Sequence, residues 1–416
     1  MWRQAMCVLN ESISRRKFRY DYDCYRIKPD RIAQPRNETR INMTNDMTDR
    51  REQALLAPYA MFSRASQGRV HAEPEHPYRG PFQRDRDRIL HSAAFRRLSG
   101  KMQVFTGSMG DYHRTRLTHT MEVASIARTI ARSLRLNEDL VEALGLLHDI
   151  GHPPFGHAGE DALNDCLADE GGFSHNRFAI TLVTEIENPY ASFPGLNLTR
   201  EVLASQESRI DKHHGHIATL LEAQVVDAAD STSYDAHDVD DSVKLDLLKI
   251  EQLLELDLVR LCHEHVIQRH GQLDAERLRR ALVHELIDVQ VTDTVENSLN
   301  RLLCENFASS DAASRCGFAV VAPSDPMLDW KRELESFLYE HVYRHPELIR
   351  VRADFQRRLR AMFDWYATNP ARLPPLYQRR GEAVGFRSAI RDYLAGMTDH
   401  FCLQTYDLTI GKIGQP

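Results

Sequence analysis

Four residues have the types and the order of a divalent-metal site: His119, the adjacent pair His148 and Asp149, and Asp230. Two neutral imidazoles and two carboxylates form a mixed nitrogen–oxygen donor set. It suits Mn²⁺, Fe²⁺, Co²⁺ or Mg²⁺ better than the thiolate-rich, closed geometry of structural zinc. Open positions on such an ion take water and a phosphate oxygen, and the pKa of bound water falls from about 15.7 toward ~7. An isolated His-Asp pair at a helix end more often satisfies local hydrogen bonds, so its surroundings must carry the assignment. Arg114 and Arg116 lie just before His119 in RTRLTHTMEVA. Two guanidiniums beside a ligand imidazole suit an anionic substrate. In PPFGHAGEDAL, His157 and Glu160 stand three apart at the start of a helix. A carboxylate bonded to one ring nitrogen fixes the tautomer that acid–base chemistry requires, and the helix N-terminus favours a phosphate. Asp230, Tyr234 and Asp238 recur every four residues and share one helix face. The apolar run at residues 220–226 directs that face inward, where a carboxylate must be paired or bind metal.

The elements that position these residues read as helices. Apolar spacing of three and four predicts them over 89–98, 118–134, 139–150, 217–237, 244–268 and 275–306. Asn137 is the expected N-cap of the helix that ends in His148 and Asp149. Strand-like alternation and internal repeats are lacking, so the fold class is all-α. Residues 1–46 are polar and aperiodic, a weakly ordered N-terminal extension. Residues 47–84 form a lead-in whose later part is rich in Pro and Gly. A catalytic core is expected over 85–245, with a helical region over 246–416 packed on it.

Composition narrows the class further. With 53 basic against 60 acidic residues and a net charge of −7, nucleic acid is not indicated as a partner. The seven cysteines are scattered and never spaced C-x-x-C, which suits a reducing cytoplasm with free thiols. No stretch approaches the roughly 20 apolar residues of a membrane span. His213, His214 and His216 crowd together and read as a solvated loop cluster rather than a second metal site, with Lys212 beside them placed to touch a phosphate. The Arg-rich run 350–360 reads as a charged helix face.

The order H…HD…D resembles the HD-domain phosphohydrolase superfamily. Longer segments resemble its deoxyguanosinetriphosphate triphosphohydrolase-like branch: DRDRILHSAAFRRLSGKMQV, RTRLTHTMEVA, LLHDIGHPPFGHAGE, FPGLNLTREVL, LEAQVVDAADSTSYDAHDVDD and DYLAGMTD. The resemblance runs from about residue 50 to 410 and implies an HD-domain helical fold. It implies cleavage of dNTPs to deoxynucleoside and tripolyphosphate with a divalent ion on His119, His148, Asp149 and Asp230. His157 and Glu160 match the catalytic pair, and His175 matches a histidine that some members place near the leaving oxygen. Arg116 and His152 match phosphate contacts, Tyr234 and Asp238 residues that hold the deoxyribose, and Gln103 and Val104 contacts at the sugar edge. A homo-oligomer and a dNTP effector are also implied. The chain departs at Phe178, where many relatives have glutamine, and at Ser231 and Thr232, where charged residues are frequent. Rival readings are another HD-type phosphoesterase (a 5′-nucleotidase or cyclic-nucleotide phosphodiesterase) and a nucleotide-binding regulatory protein.

Overall fold

Helix starts are written locally in this chain. Ser92, Thr115, Asn137, Asp274, Ser309, Ser324 and Thr398 each accept a hydrogen bond from a backbone N–H in the first turn of the following helix. Pro81, Pro346 and Pro375 open others at the first position, where no N–H is needed. The computed structural model describes residues 47–103, 114–210 and 220–411. The extension at 1–46, Val104 and the Lys212–His216 cluster lie outside the described residues.

The described helices, in chain order, begin with α1 (47–55), α2 (Pro81–Leu90), α3 (Ala93–Arg97), α4 (Arg116–Ser133), α5 (Glu138–Leu147) and α6 (His157–Cys166). Then come α7 (His175–Thr181), α8 (Arg200–Ser208), α9 (Leu221–Lys244), α10 (Ile250–Leu253), α11 (Asp257–His270) and α12 (Ala275–Glu305). The last are α13 (Ser310–Ser314), α14 (Asp325–Leu338), α15 (Pro346–Thr368), α16 (Pro375–Val384), α17 (Phe386–Ala395) and α18 (Asp399–Tyr406). Among the described residues the only β-pairings are two isolated bridges, Arg69 with Thr199 and Met102 with Thr115. The chain is all-α. None of these helices is long and apolar enough to cross a membrane.

Two expected helices are broken, each for a local reason. The run 89–98 divides because Ser92 caps a new helix, its side chain accepting from Phe95 N–H. The run 244–268 divides twice: Asp246 adopts φ +60° just after α9 ends, a conformation that stops a right-handed helix, and extended Leu256 separates α10 from α11. The lead-in also holds more helix than its Pro and Gly content suggested, at 47–55 and from Pro81.

Helix α9 is the axis on which the site is built. Its first half, through Val225, Val226 and Ala229, joins the main core with Val123, Ile130, Leu140 and Leu147 of α4 and α5. Its second half, through Ala236 and Val239, enters another core with Val259, Leu282 and Leu334 of α11, α12 and α14. Each fully buried Val, Leu or Ile contributes about 1.5–3 kcal/mol, so both ends of α9 are anchored. The C-terminal helices reach the segment between α5 and α6 through α15, whose Phe355 ring stacks on Phe155 at 4.3 Å.

Candidate active site

Three helices deliver ligand atoms to one point. His119 lies in the first turns of α4, His148 caps the C-terminus of α5, and Asp230 projects from α9. One ligand atom from each lies within 4.8 Å of the other two. Asp230 Oδ1 is 3.3 Å from His119 Nε2 and 3.7 Å from His148 Nε2. His148 Nδ1 donates to the Gly145 carbonyl at 2.7 Å, which leaves the lone pair on Nε2. That Nε2 is buried and has no hydrogen-bond partner. A buried, unpartnered nitrogen facing a carboxylate fits a cation. The second oxygen of Asp230 accepts from Arg209 at 2.8 Å.

The charge states also fit. Burial pushes the His148 imidazole down, toward its neutral form. Burial alone would raise the Asp230 carboxyl, but His148, His119 and Arg209 hold it well below the usual carboxylate range. A neutral imidazole and an ionised carboxylate are what metal ligation requires.

Asp149 stands at the edge of this group. Its Oδ1 is 3.9 Å from His148 Nε2, 2.7 Å from His152 Nδ1 and 3.0 Å from Arg116. Arg116, only 2% exposed, bonds both Asp149 oxygens and the Gln103 carbonyl. The Gln103 contact is therefore through the backbone, and its side-chain Oε1 is buried without a partner. Gly156, at φ +57°, lets the chain pass this guanidinium: a Cβ there would sit 2.7 Å from Arg116.

A second cluster adjoins the first. Glu160 accepts from the backbone N–H of His175 at 2.9 Å and meets His175 Nδ1 at 2.8 Å. His157 Nδ1 lies 3.3 Å from the same carboxylate. The His175 ring stacks on His152 at 3.8 Å between centroids. Burial works against ionised Glu160, but the two histidines hold its carboxyl far below the usual range. Burial, with Arg116 beside it, keeps His152 neutral. Gly151 permits this approach, because a Cβ there would collide with the His175 carbonyl oxygen. Phe178 is buried near Phe173, so the departure from glutamine faces the core while His175 still meets Glu160.

Further along α9, Tyr234 donates to the hydroxyl of Tyr343 and Tyr343 donates to Asp238, each at 2.5 Å. A cavity of about 440 Å³ opens beside both tyrosines, lined also by Glu335, Ser336, Tyr339 and Glu340. Sequence reasoning missed Tyr343 and Arg209. Arg209 carried no motif, and Tyr343 lies 105 residues from Asp238.

The loop between the two clusters is clamped from the far end of the chain. Lys101, fully buried, donates to the carbonyls of His152 and Ala395. Asp399 accepts from Met102 N–H and Phe155 N–H, both at 2.9 Å. Phe155 holds φ +65°, a strained state that needs such restraint.

The HD domain family matches residues 116–235, and the Phosphohydrolase-associated domain matches residues 321–408. The chain is 40% identical over 365 residues to a deoxyguanosinetriphosphate triphosphohydrolase-like protein of Geobacter metallireducens, covering 85% of this chain and 95% of the relative. A protein of that name from Ralstonia pickettii is 42% identical, covering 84% and 93%. One from Leptospira interrogans is 38% identical, covering 86% and 96%. The match spans both clusters and the Asp399 clamp, and the chain belongs to the deoxyguanosinetriphosphate triphosphohydrolase-like family of HD-domain, metal-dependent phosphohydrolases.

Proposed function

We propose that the protein hydrolyses deoxynucleoside triphosphates to deoxynucleoside and tripolyphosphate, with dGTP among its substrates. The carrying observation is that Asp230 shares the face of α9 with Tyr234 and Asp238. A substrate with its α-phosphate at the His119–His148–Asp230 group meets the tyrosine and aspartate with its sugar. That group, with Asp149 beside it, would hold Mn²⁺, Co²⁺, Fe²⁺ or Mg²⁺, which supplies Lewis-acid polarisation of a phosphate oxygen and lowers the pKa of water. Water adds to the α-phosphorus, the P–O5′ bond breaks, and a proton must reach O5′. The Glu160 carboxylate with His157 and His175 is suited to hold and deliver that proton, since it orients both rings. Arg116 orients Asp149, and His152, packed between Asp149 and His175, is suited to contact a phosphate oxygen. Asp238 suits a hydrogen bond to the 3′-hydroxyl, and the Tyr234 ring, backed by Tyr343, is suited to pack beneath C2′ and exclude a 2′-oxygen. Rejection of ribonucleotides by well over roughly tenfold in kcat/KM is expected from such a site.

Ion chromatography of early time points with each dNTP and Mn²⁺ tests this reading. Tripolyphosphate as the first phosphate product, abolished by chelation, is expected. Pyrophosphate with dNMP, or orthophosphate with dNDP, would point to a different phosphoesterase.

A further inference from the structure

The two imidazoles of the ligand group are held by unlike means. His148 is oriented by a backbone carbonyl. His119 is oriented by side chains that nothing in the site above requires. Its Nδ1 lies 3.2 Å from Nδ1 of His237, a buried residue of α9. The two rings meet edge to face, 74° apart. His237 Nε2 makes a short contact with Glu122 Oε2 on α4. Arg114 faces the same carboxylate at 3.7 Å and also pairs with Asp240 and Asp241.

Two facing ring nitrogens 3.2 Å apart can share only one hydrogen. A carboxylate accepts but does not donate, so the His237 nitrogen at Glu122 carries a proton. Neutral His237 then has a bare Nδ1, which must accept from His119 Nδ1–H. The His237–Glu122 contact is the shorter of the two ring-to-carboxylate contacts and sets the chain of donors, so the His119 lone pair falls on Nε2, whose 3.3 Å approach to Asp230 Oδ1 a cation between them would satisfy. We infer that Glu122 and His237 are positioning residues that fix the tautomer and ring orientation of His119, so that Nε2 is presented to a divalent cation. The relay begins at Glu122, whose side chain is 48% exposed, and ends at a ligand that is 2% exposed. It thus places a negative charge two residues behind the site without burying that charge. Outer partners of this kind typically alter metal affinity 10- to 100-fold.

The inference rests on the metal reading, and its test separates the two. Mn²⁺ affinity of the full chain is measured by electron paramagnetic resonance titration for wild type, His237→Leu, His237→Asn and Glu122→Gln. In parallel, ¹⁵N-histidine spectra of the metal-free proteins report the His119 tautomer, with the signal assigned from His119→Gln. His237→Leu is expected to bind Mn²⁺ about 10- to 100-fold more weakly. His237→Asn, whose side-chain carbonyl still accepts from His119 Nδ1–H, should recover most of the affinity. The wild-type spectrum should show His119 protonated on Nδ1, with that preference lost in His237→Leu. Wild-type affinity and an unchanged tautomer in His237→Leu would overturn the relay. If that variant fails to fold, Glu122→Gln at the half-exposed end gives the same two readouts. Failure of wild type to bind Mn²⁺ would overturn the metal reading alone, because the metal-free tautomer still decides the relay.

Discussion

Two imidazoles share one carboxylate at Glu160, and the balance between them is unequal. His175 meets it at 2.8 and 3.0 Å and also through its backbone N–H, whereas His157 is 3.3 Å away with 58% of its side chain exposed. Glu160→Gln keeps the shape but removes the charge that orients both rings. It should lower kcat by at least about 10²-fold, the scale of lost acid–base catalysis, with Mn²⁺ content unchanged by elemental analysis. Wild-type turnover would remove Glu160 from the proton path. The pairing of His157 with Glu160 was legible from a spacing of three. The stronger pairing with His175 was not, because 15 residues, the end of α6 and the turn at Gly171 and Gly172 intervene.

At the scale of elements, the segment between α5 and α6 has no regular structure of its own, yet it carries His152 and sets the start of α6 at His157. Its conformation is imposed by Lys101 and by the first residue of α18, Asp399. Asp399→Ala would strand the N–H groups of Met102 and Phe155, at about 1–3 kcal/mol for each buried donor left unpaired. Urea unfolding should therefore show a loss of roughly 2–6 kcal/mol. The kcat should fall while Mn²⁺ binding persists, since His119, His148 and Asp230 lie on other elements. A stability change within about 0.5 kcal/mol, the range of ordinary surface substitutions, would refute the clamp. The helices themselves were largely readable: α4, α5 and α12 start within two residues of where apolar spacing placed them. The break at Ser92 was also written locally, as a cap inside an apolar run, but periodicity alone passed over it.

Across the whole molecule, the C-terminal helices complete the second half of α9, with Tyr343 on Asp238 and Lys331 on Asp235. Burial pushes the Asp238 carboxyl up to about 8, against the opposing bond from Tyr343. A carboxyl raised in the folded state holds a proton that the unfolded chain releases near pH 4. Its contribution to stability therefore falls as pH rises from about 4 to 8. Asp238→Asn cannot titrate, so its Tm relative to wild type should climb between pH 5 and 8 in calorimetry. A constant difference would mean that Asp238 is already ionised throughout. Residue types, their order and the helix period are properties of neighbours in the chain, and by themselves they determined the all-α class, the cap at Asn137 and the candidate ligands. Only the tertiary structure decided that Asp149 turns to Arg116, that His119 is backed by His237 and Glu122, and that Tyr343 joins Asp238. The physical reason is range: His119 meets Asp230 across 111 residues and Lys101 meets Ala395 across 294. No spacing within a single helix encodes contacts made between helices packed through separate cores.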